Sequence, residues 1–208
     1  MMRRLAPLLL LLLATLVAAG CGEYGQRYEG DSEKVSASGS ETRVTDEKFD
    51  DAARKRDGCT DIEEFESEGN THTTDPAETV KYEHNPPHSG DHYQVPEDWG
   101  LYDEQQPDVA TVHNLEHGHI LITHRGLTDK QEQTLLDHAR INSYHLVVMP
   151  RKQNPKKGIY YTVWTAQIYC KEPSKAALQY MIDNWRDQGP ELFTEDASGG
   201  SMGSNEKK

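Results

Sequence analysis

His119-Ile120-Leu121-Ile122-Thr123-His124, then Thr128-Asp129-Lys130-Gln131, then Tyr144-His145-Leu146-Val147-Val148-Met149-Pro150 form the stretch that decides the fold. In the first segment Ile120 and Ile122 fall on one side of an alternating run, the period of a β-strand. Thr128 and Gln131 are spaced as a capping box, in which each side chain takes one of the amides a helix start leaves unpaired. Leu135, Leu136 and Ala139 give the following helix an apolar stripe. Tyr144 to Met149 reads as a second strand, stopped by Pro150. Lys156-Lys157-Gly158 belongs to a turn, and Ile159 to Tyr169, rich in β-branched and aromatic residues, reads as one long strand. Ser174 then caps a last helix whose Leu178, Met181, Ile182 and Trp185 recur at i, i+3, i+4 and i+7. Gly189-Pro190 ends it.

The order strand, helix, strand, strand, helix predicts a single α+β domain. Its sheet is expected to be antiparallel with helices on one face, with a ferredoxin-like tendency, and the long turn suggests that the last two strands pair. Upstream, Pro76, Pro86, Pro87, Pro96 and Pro107 break the pattern from Phe49 to Asp108. A helical turn near Asp46 to Arg56 and a short strand over Val80 to Glu83 are expected there. The domain is placed at residues 46–193, after a flexible Gly/Ser/Glu/Lys-rich tether at 21–45 and before a disordered tail at 194–208.

Residues 1–20 read as a signal peptide. Arg3 and Arg4 precede the apolar run Leu5 to Val17, which is short of the roughly 20 residues that span a bilayer. Ala18-Ala19-Gly20-Cys21 resembles a lipoprotein lipobox, so Cys21 is expected to be lipidated. That places the chain at the cell membrane, anchored in the lipid bilayer on the extracytoplasmic face. The alternative is a plain secretory signal in which Cys21 is incidental. The chain carries 22 Lys and Arg against 35 Asp and Glu. Removing Arg3 and Arg4 with the signal leaves 20 − 35 = −15, which argues against nucleic acid and against electrostatic binding of anionic headgroups.

With Cys21 acylated, Cys59 and Cys170 remain as an even pair in an oxidising compartment. A disulfide is favoured over a metal thiolate pair or two buried thiols, because both cysteines lie outside the histidine-rich stretch.

Seven of the ten histidines lie between His72 and His119. Among the His-x-x-x-His spacings, the pairs His88/His92 and His113/His117 can each present two imidazoles to one ion if helical, since residues four apart share a face. The motifs Pro86-Pro87-His88-Ser89-Gly90-Asp91-His92-Tyr93, Trp99-Gly100-Leu101-Tyr102 and His113-Asn114-Leu115-Glu116-His117-Gly118 resemble a bacterial family of secreted or membrane-anchored proteins of unknown function. The resemblance covers about Cys59 to Trp185. It supports His92, His113, Glu116 and His117, and also His72, while His88 and His119 fall at positions where the family usually carries another residue.

The candidate metal ligands are therefore His92, His113 and His117, with His72, His88 or Glu116 completing the shell. Copper and zinc both suit imidazoles. The residues point to a metal-binding protein of the cell envelope rather than an enzyme. Two alternatives stand beside it. One is an envelope hydrolase using His113 or His117 as a base oriented by Glu116 or Asp91; the other is a non-catalytic structural or interaction module.

Overall fold

The computed structural model describes residues 49–191. The signal peptide, Cys21, the tether and the tail beyond 194 lie outside the described residues. The helix expected near Asp46 to Arg56 forms as α1 (Asp51–Asp57), capped by Asp50, whose carboxylate accepts from the Ala52 amide at 2.9 Å. Four two-residue strands follow: β1 (Glu63–Glu64), β2 (His72–Thr73), β3 (His92–Tyr93) and β4 (Gly100–Leu101). Then come α2 (Asp108–Glu116), β5 (Ile120–Arg125), α3 (Asp129–Ile141), β6 (Leu146–Pro150), β7 (Gly158–Val163), β8 (Ala166–Cys170) and α4 (Lys175–Trp185). Among the described residues no helix is long and apolar enough to cross a membrane.

The α+β class is the one found. The main sheet has the order β1-β8-β7-β5-β6-β4, mostly antiparallel. Its parallel part is β4-β6-β5, where β5 and β6 pair directly across α3 as an unsplit βαβ unit. That departs from a ferredoxin-like sandwich, whose βαβ units are split by an inserted strand. The expected pairing of the strands flanking Lys156-Gly158 is corrected as well: β5 lies between β6 and β7, and β7 runs antiparallel to β5 and β8. The long strand Ile159 to Tyr169 is instead a hairpin, closed where Val163 faces Ala166. Thr165 turns the chain at a left-handed φ of 58°, a conformation that carries no Gly or Asn to announce it.

Both long helices lie on one face, as expected. Ile120, Ile122, Leu146 and Val148 pack there with Leu135 and Ala139 of α3 and with Leu178 and Met181 of α4. The capping box at Thr128 and Gln131 is complete, and Ser174 accepts from the Ala177 amide at 3.1 Å. The opposite face is also buried: Leu121, Val147 and Met149 pack against Leu115 of α2. Each fully buried aliphatic stabilises the fold by roughly 1.5–3 kcal/mol.

Besides the pairing of β1 with β8 and of β4 with β6, two side-chain links tie the irregular first half to this sheet. Cys59 and Cys170 form a disulfide with Cα atoms 3.9 Å apart, across a sequence separation of 111. Arg151, 5% exposed at its side chain, grips Asp108 at the start of α2 with bonds of 2.9 and 2.7 Å. Val80 to Glu83 is not a strand. The amides of Glu83 and His84 donate to the Glu68 carboxylate at 2.7 and 3.1 Å, so this backbone is tied to a side chain rather than to a neighbouring strand.

Candidate metal centre

Three short elements, β2, β3 and α2, bring five candidate side chains together. β2 and β3 pair in parallel with His72 opposite His92. Asp91 fixes that register by accepting from the Thr71 amide at 2.9 Å, while the His92 amide donates to the Thr71 carbonyl at 3.0 Å. On α2, His113 and Glu116 are three apart, and His117 follows at the cap, so all three share a face. Leu115 sits beneath them, fully buried.

The end of α2 is held by the segment after α4. Glu191 donates its amide to the Glu116 carbonyl at 3.1 Å, and Asp187 donates to the Gly118 carbonyl at 2.9 Å. The approach is so close that a Cβ on Gly189 would lie 2.0 Å from the Glu116 carbonyl oxygen. Gly118, at φ +79°, turns the chain into β5 under the same segment.

Each of three imidazoles is anchored at Nδ1 by a backbone carbonyl: His92 by Gly90 at 2.7 Å, His113 by Tyr93 at 2.7 Å and His117 by Glu191 at 2.8 Å. A carbonyl only accepts, so all three rings carry their proton on Nδ1. Their Nε2 atoms then face inward as lone pairs when the rings are neutral. Nε2 of His113 and His117 are 2.7 Å apart. Nε2 of His92 lies 3.0 Å from Glu116 Oε2, and that of His72 lies 3.1 Å from the same oxygen.

At His113 and His117 burial favours the neutral ring. It pushes His113 down to about 4, against the bond to the Tyr93 carbonyl and together with the neighbouring histidines. Burial lowers His117 as well, opposed by its contacts with Glu191. Two neutral lone pairs at hydrogen-bond distance repel unless a cation lies between them. A bound proton would serve, yet burial resists it. A metal ion serves without that opposition. Ligand atoms about 2.0–2.1 Å from an ion are separated by roughly 2.9 Å at right angles and roughly 3.4 Å at the tetrahedral angle. The observed 2.7 to 3.1 Å spacings sit near the first of these. Carbonyl anchoring of the distal ring nitrogen is the usual support for a metal-bound imidazole.

His72, His92, His113 and Glu116 offer ligand atoms within 4.8 Å of one another. His117 joins them through its contact with His113. His92 is fully buried and Glu116 is 2% exposed, whereas the His72 side chain is 39% exposed and marks the route in from solvent.

His88 does not belong here, which corrects its place in the expected shell. Ser89-Gly90-Asp91 is an irregular loop with Gly90 at φ +119°, so the helical reading of His88/His92 fails. His88 instead groups with Glu68 and His84, neither of them among the expected ligands. Met149 packs in the core beside Leu115. His119 and His145 stack on each other at 4.2 Å under Trp99.

No curated protein and no solved structure matches the chain. The model of the family described as "Protein of unknown function (DUF3105)" matches residues 73–198, a span that takes in His92, His113, Glu116 and His117, and the chain belongs to that family.

Proposed function

We propose that this protein binds a transition-metal ion, copper or zinc, through Nε2 of His92, His113 and His117, with Glu116 and His72 completing the shell. The observation that carries the reading is the 2.7 Å approach of the His113 and His117 Nε2 atoms while both Nδ1 atoms donate to backbone carbonyls. Metal analysis and calorimetric titration of the purified, tag-free protein test it. A stoichiometric ion bound tighter than about micromolar, roughly 8 kcal/mol, supports it, and weaker or no binding removes it.

Burial favours retention over turnover. His92, His113 and Glu116 are almost sealed from water, and Asp91, a candidate orienting acid for the hydrolytic alternative, is engaged by the Thr71 amide. A structural module remains distinguishable by chelator. In that case His113→Ala would lower the melting temperature equally with and without it.

The same reading places the domain at the cell membrane, on the extracytoplasmic face, tethered to the bilayer through acylated Cys21. The signal-like residues 1–20 and the Ala-Ala-Gly-Cys sequence support it, as does the disulfide, which suits an oxidising compartment. Cys21→Ser is expected to release the protein to a soluble fraction and abolish fatty-acid labelling. Retention in the membrane after peripheral proteins are extracted would contradict the anchor.

A further inference from the structure

We propose that Glu68, His84 and His88 form a second site for a divalent transition-metal ion, separate from the His92/His113/His117 centre and open to exchange. Each of the three offers a ligand atom within 4.8 Å of the others. His84 and His88 border a cleft of about 220 Å³, where Phe65, Tyr160 and Tyr169 form part of the wall.

The carboxylate is built in. Glu68 donates its own amide to Ser89 Oγ at 2.9 Å, and its two oxygens accept from the Glu83 and His84 amides at 2.7 and 3.1 Å. Burial pushes Glu68 up, but those bonds and the His84 ring outweigh it and hold the acid below its ordinary range. The group is therefore a fixed anion.

His88 supplies the observation that points to a ligand. Its side chain is fully buried, and its Nε2 has no hydrogen-bond partner. The ring is clamped by Phe65, stacked at 4.4 Å and 7° from parallel, and its Nδ1 is held by Ser89 Oγ at 3.0 Å. Nε2 lies 3.5 Å from Glu68 Oε1. That is too long for an N–H···O bond of 2.7–3.2 Å. It is close to the roughly 3.4 Å that separates two ligands of a tetrahedral ion. A buried polar nitrogen left unsatisfied is unfavourable, and an ion bound at this nitrogen would satisfy it.

His84, 43% exposed at its side chain, brings Nδ1 to 2.6 Å from Glu68 Oε1 on the open side. An ion taken up at Nδ1 displaces the proton shared in that bond, which moves to Nε2 as the ring changes tautomer. Three protein ligands at an open cleft leave a position for water, the coordination of exchangeable rather than closed sites.

Zn²⁺ titration of the tag-free full chain and of its His84→Ala variant tests the site, with imidazole ¹⁵N spectra following His88. His84 is exposed, so its replacement leaves the core packing intact. The expected result is two equivalents in the wild type, one in the variant, and movement of the His88 Nε2 resonance with one of the two. Glu68→Gln, which keeps an oxygen for the backbone amides, is expected to weaken the same equivalent about tenfold or more. A single equivalent lost in the variant would support this site and remove the His92/His113/His117 centre. An equal stoichiometry in both proteins, with His88 Nε2 unmoved, would overturn the second site whatever the first one does.

Discussion

The two faces of the central sheet bury comparable strands in opposite ways. On the α3/α4 face Ile120, Ile122 and Val148 sit in a large apolar cluster with Leu135, Leu178 and Met181. On the α2 face, Leu115, Leu121, Val147 and Met149 make only a small apolar patch. Beyond it the molecule buries His92, His113, Glu116 and His117. Apolar burial is complete once the surface is removed from water. Polar burial is complete only when each donor and acceptor has a partner. The three carbonyl-anchored rings meet that condition at Nδ1 and defer it at Nε2. One face therefore stabilises the fold outright, while the other depends on what it binds.

The largest expected effect comes from the link between the irregular half and the sheet. Replacing Cys59 and Cys170 together by serine removes a loop closure worth up to about 4.7 kcal/mol in the chain-entropy model, and a loss of 2–5 kcal/mol is expected. Denaturant unfolding would measure it. If the metal affinity of the variant is unchanged, the first half does not need the bridge to place His72 and His92.

Next, Leu135→Ala on the apolar face is expected to cost about 3 kcal/mol, lowering the melting temperature by roughly 10 °C. The loss should be the same with and without chelator. A chelator-dependent loss would blur the distinction between the two faces.

On the polar face, His113→Ala should behave in the opposite manner. At a metal concentration about 100 times the dissociation constant, linkage stabilises the wild type by about 2.7 kcal/mol, and the variant forfeits most of it. Chelator should erase the difference, leaving only the smaller effect of the lost ring. Differential scanning calorimetry with and without excess Zn²⁺ gives both numbers.

The smallest effect is acid sensitivity of the metal-free protein. His113 and His88 are each held near 4, against an ordinary value of 6.5, chiefly by burial. Between those values the unfolded chain binds protons that the folded one refuses. Stability is therefore full above about pH 6.5 and declines as pH falls toward 4. Melting temperatures at pH 7.5 and 5 should differ by several degrees in that direction, and a flat profile would mean that the rings are not sealed as described.

Much of the apolar face was legible in the sequence. Its strands and helices are long enough to show a period, and Thr128, Gln131 and Ser174 mark their starts. The hairpin at Trp164-Thr165 was not, since a β-branched and aromatic run continues through it and Thr165 adopts the left-handed turn without a Gly, Asn or Pro. Strands of two residues, such as β2 and β3, have no period to read. The site was legible where a helix spaces its ligands, at His113, Glu116 and His117. At His88 the four-residue spacing is no guide, because Pro86-Pro87 and Ser89-Gly90 hold this stretch in a tight loop instead of a helix. Glu68 comes from a distant turn of chain, which no fixed spacing announces, and the four-residue spacing of His84 and His88 crosses Pro86-Pro87 instead of a helical turn.

The protonation state of three rings tests the central claim most directly. Long-range ¹H–¹⁵N spectra of histidine-labelled protein at neutral pH report which nitrogen of each imidazole carries the proton. His92, His113 and His117 should all be Nδ1–H tautomers without metal, and their Nε2 resonances should shift together on addition of one equivalent of Zn²⁺. Nε2–H tautomers in these rings, or Nε2 resonances that ignore the ion, would contradict a metal centre at the end of α2.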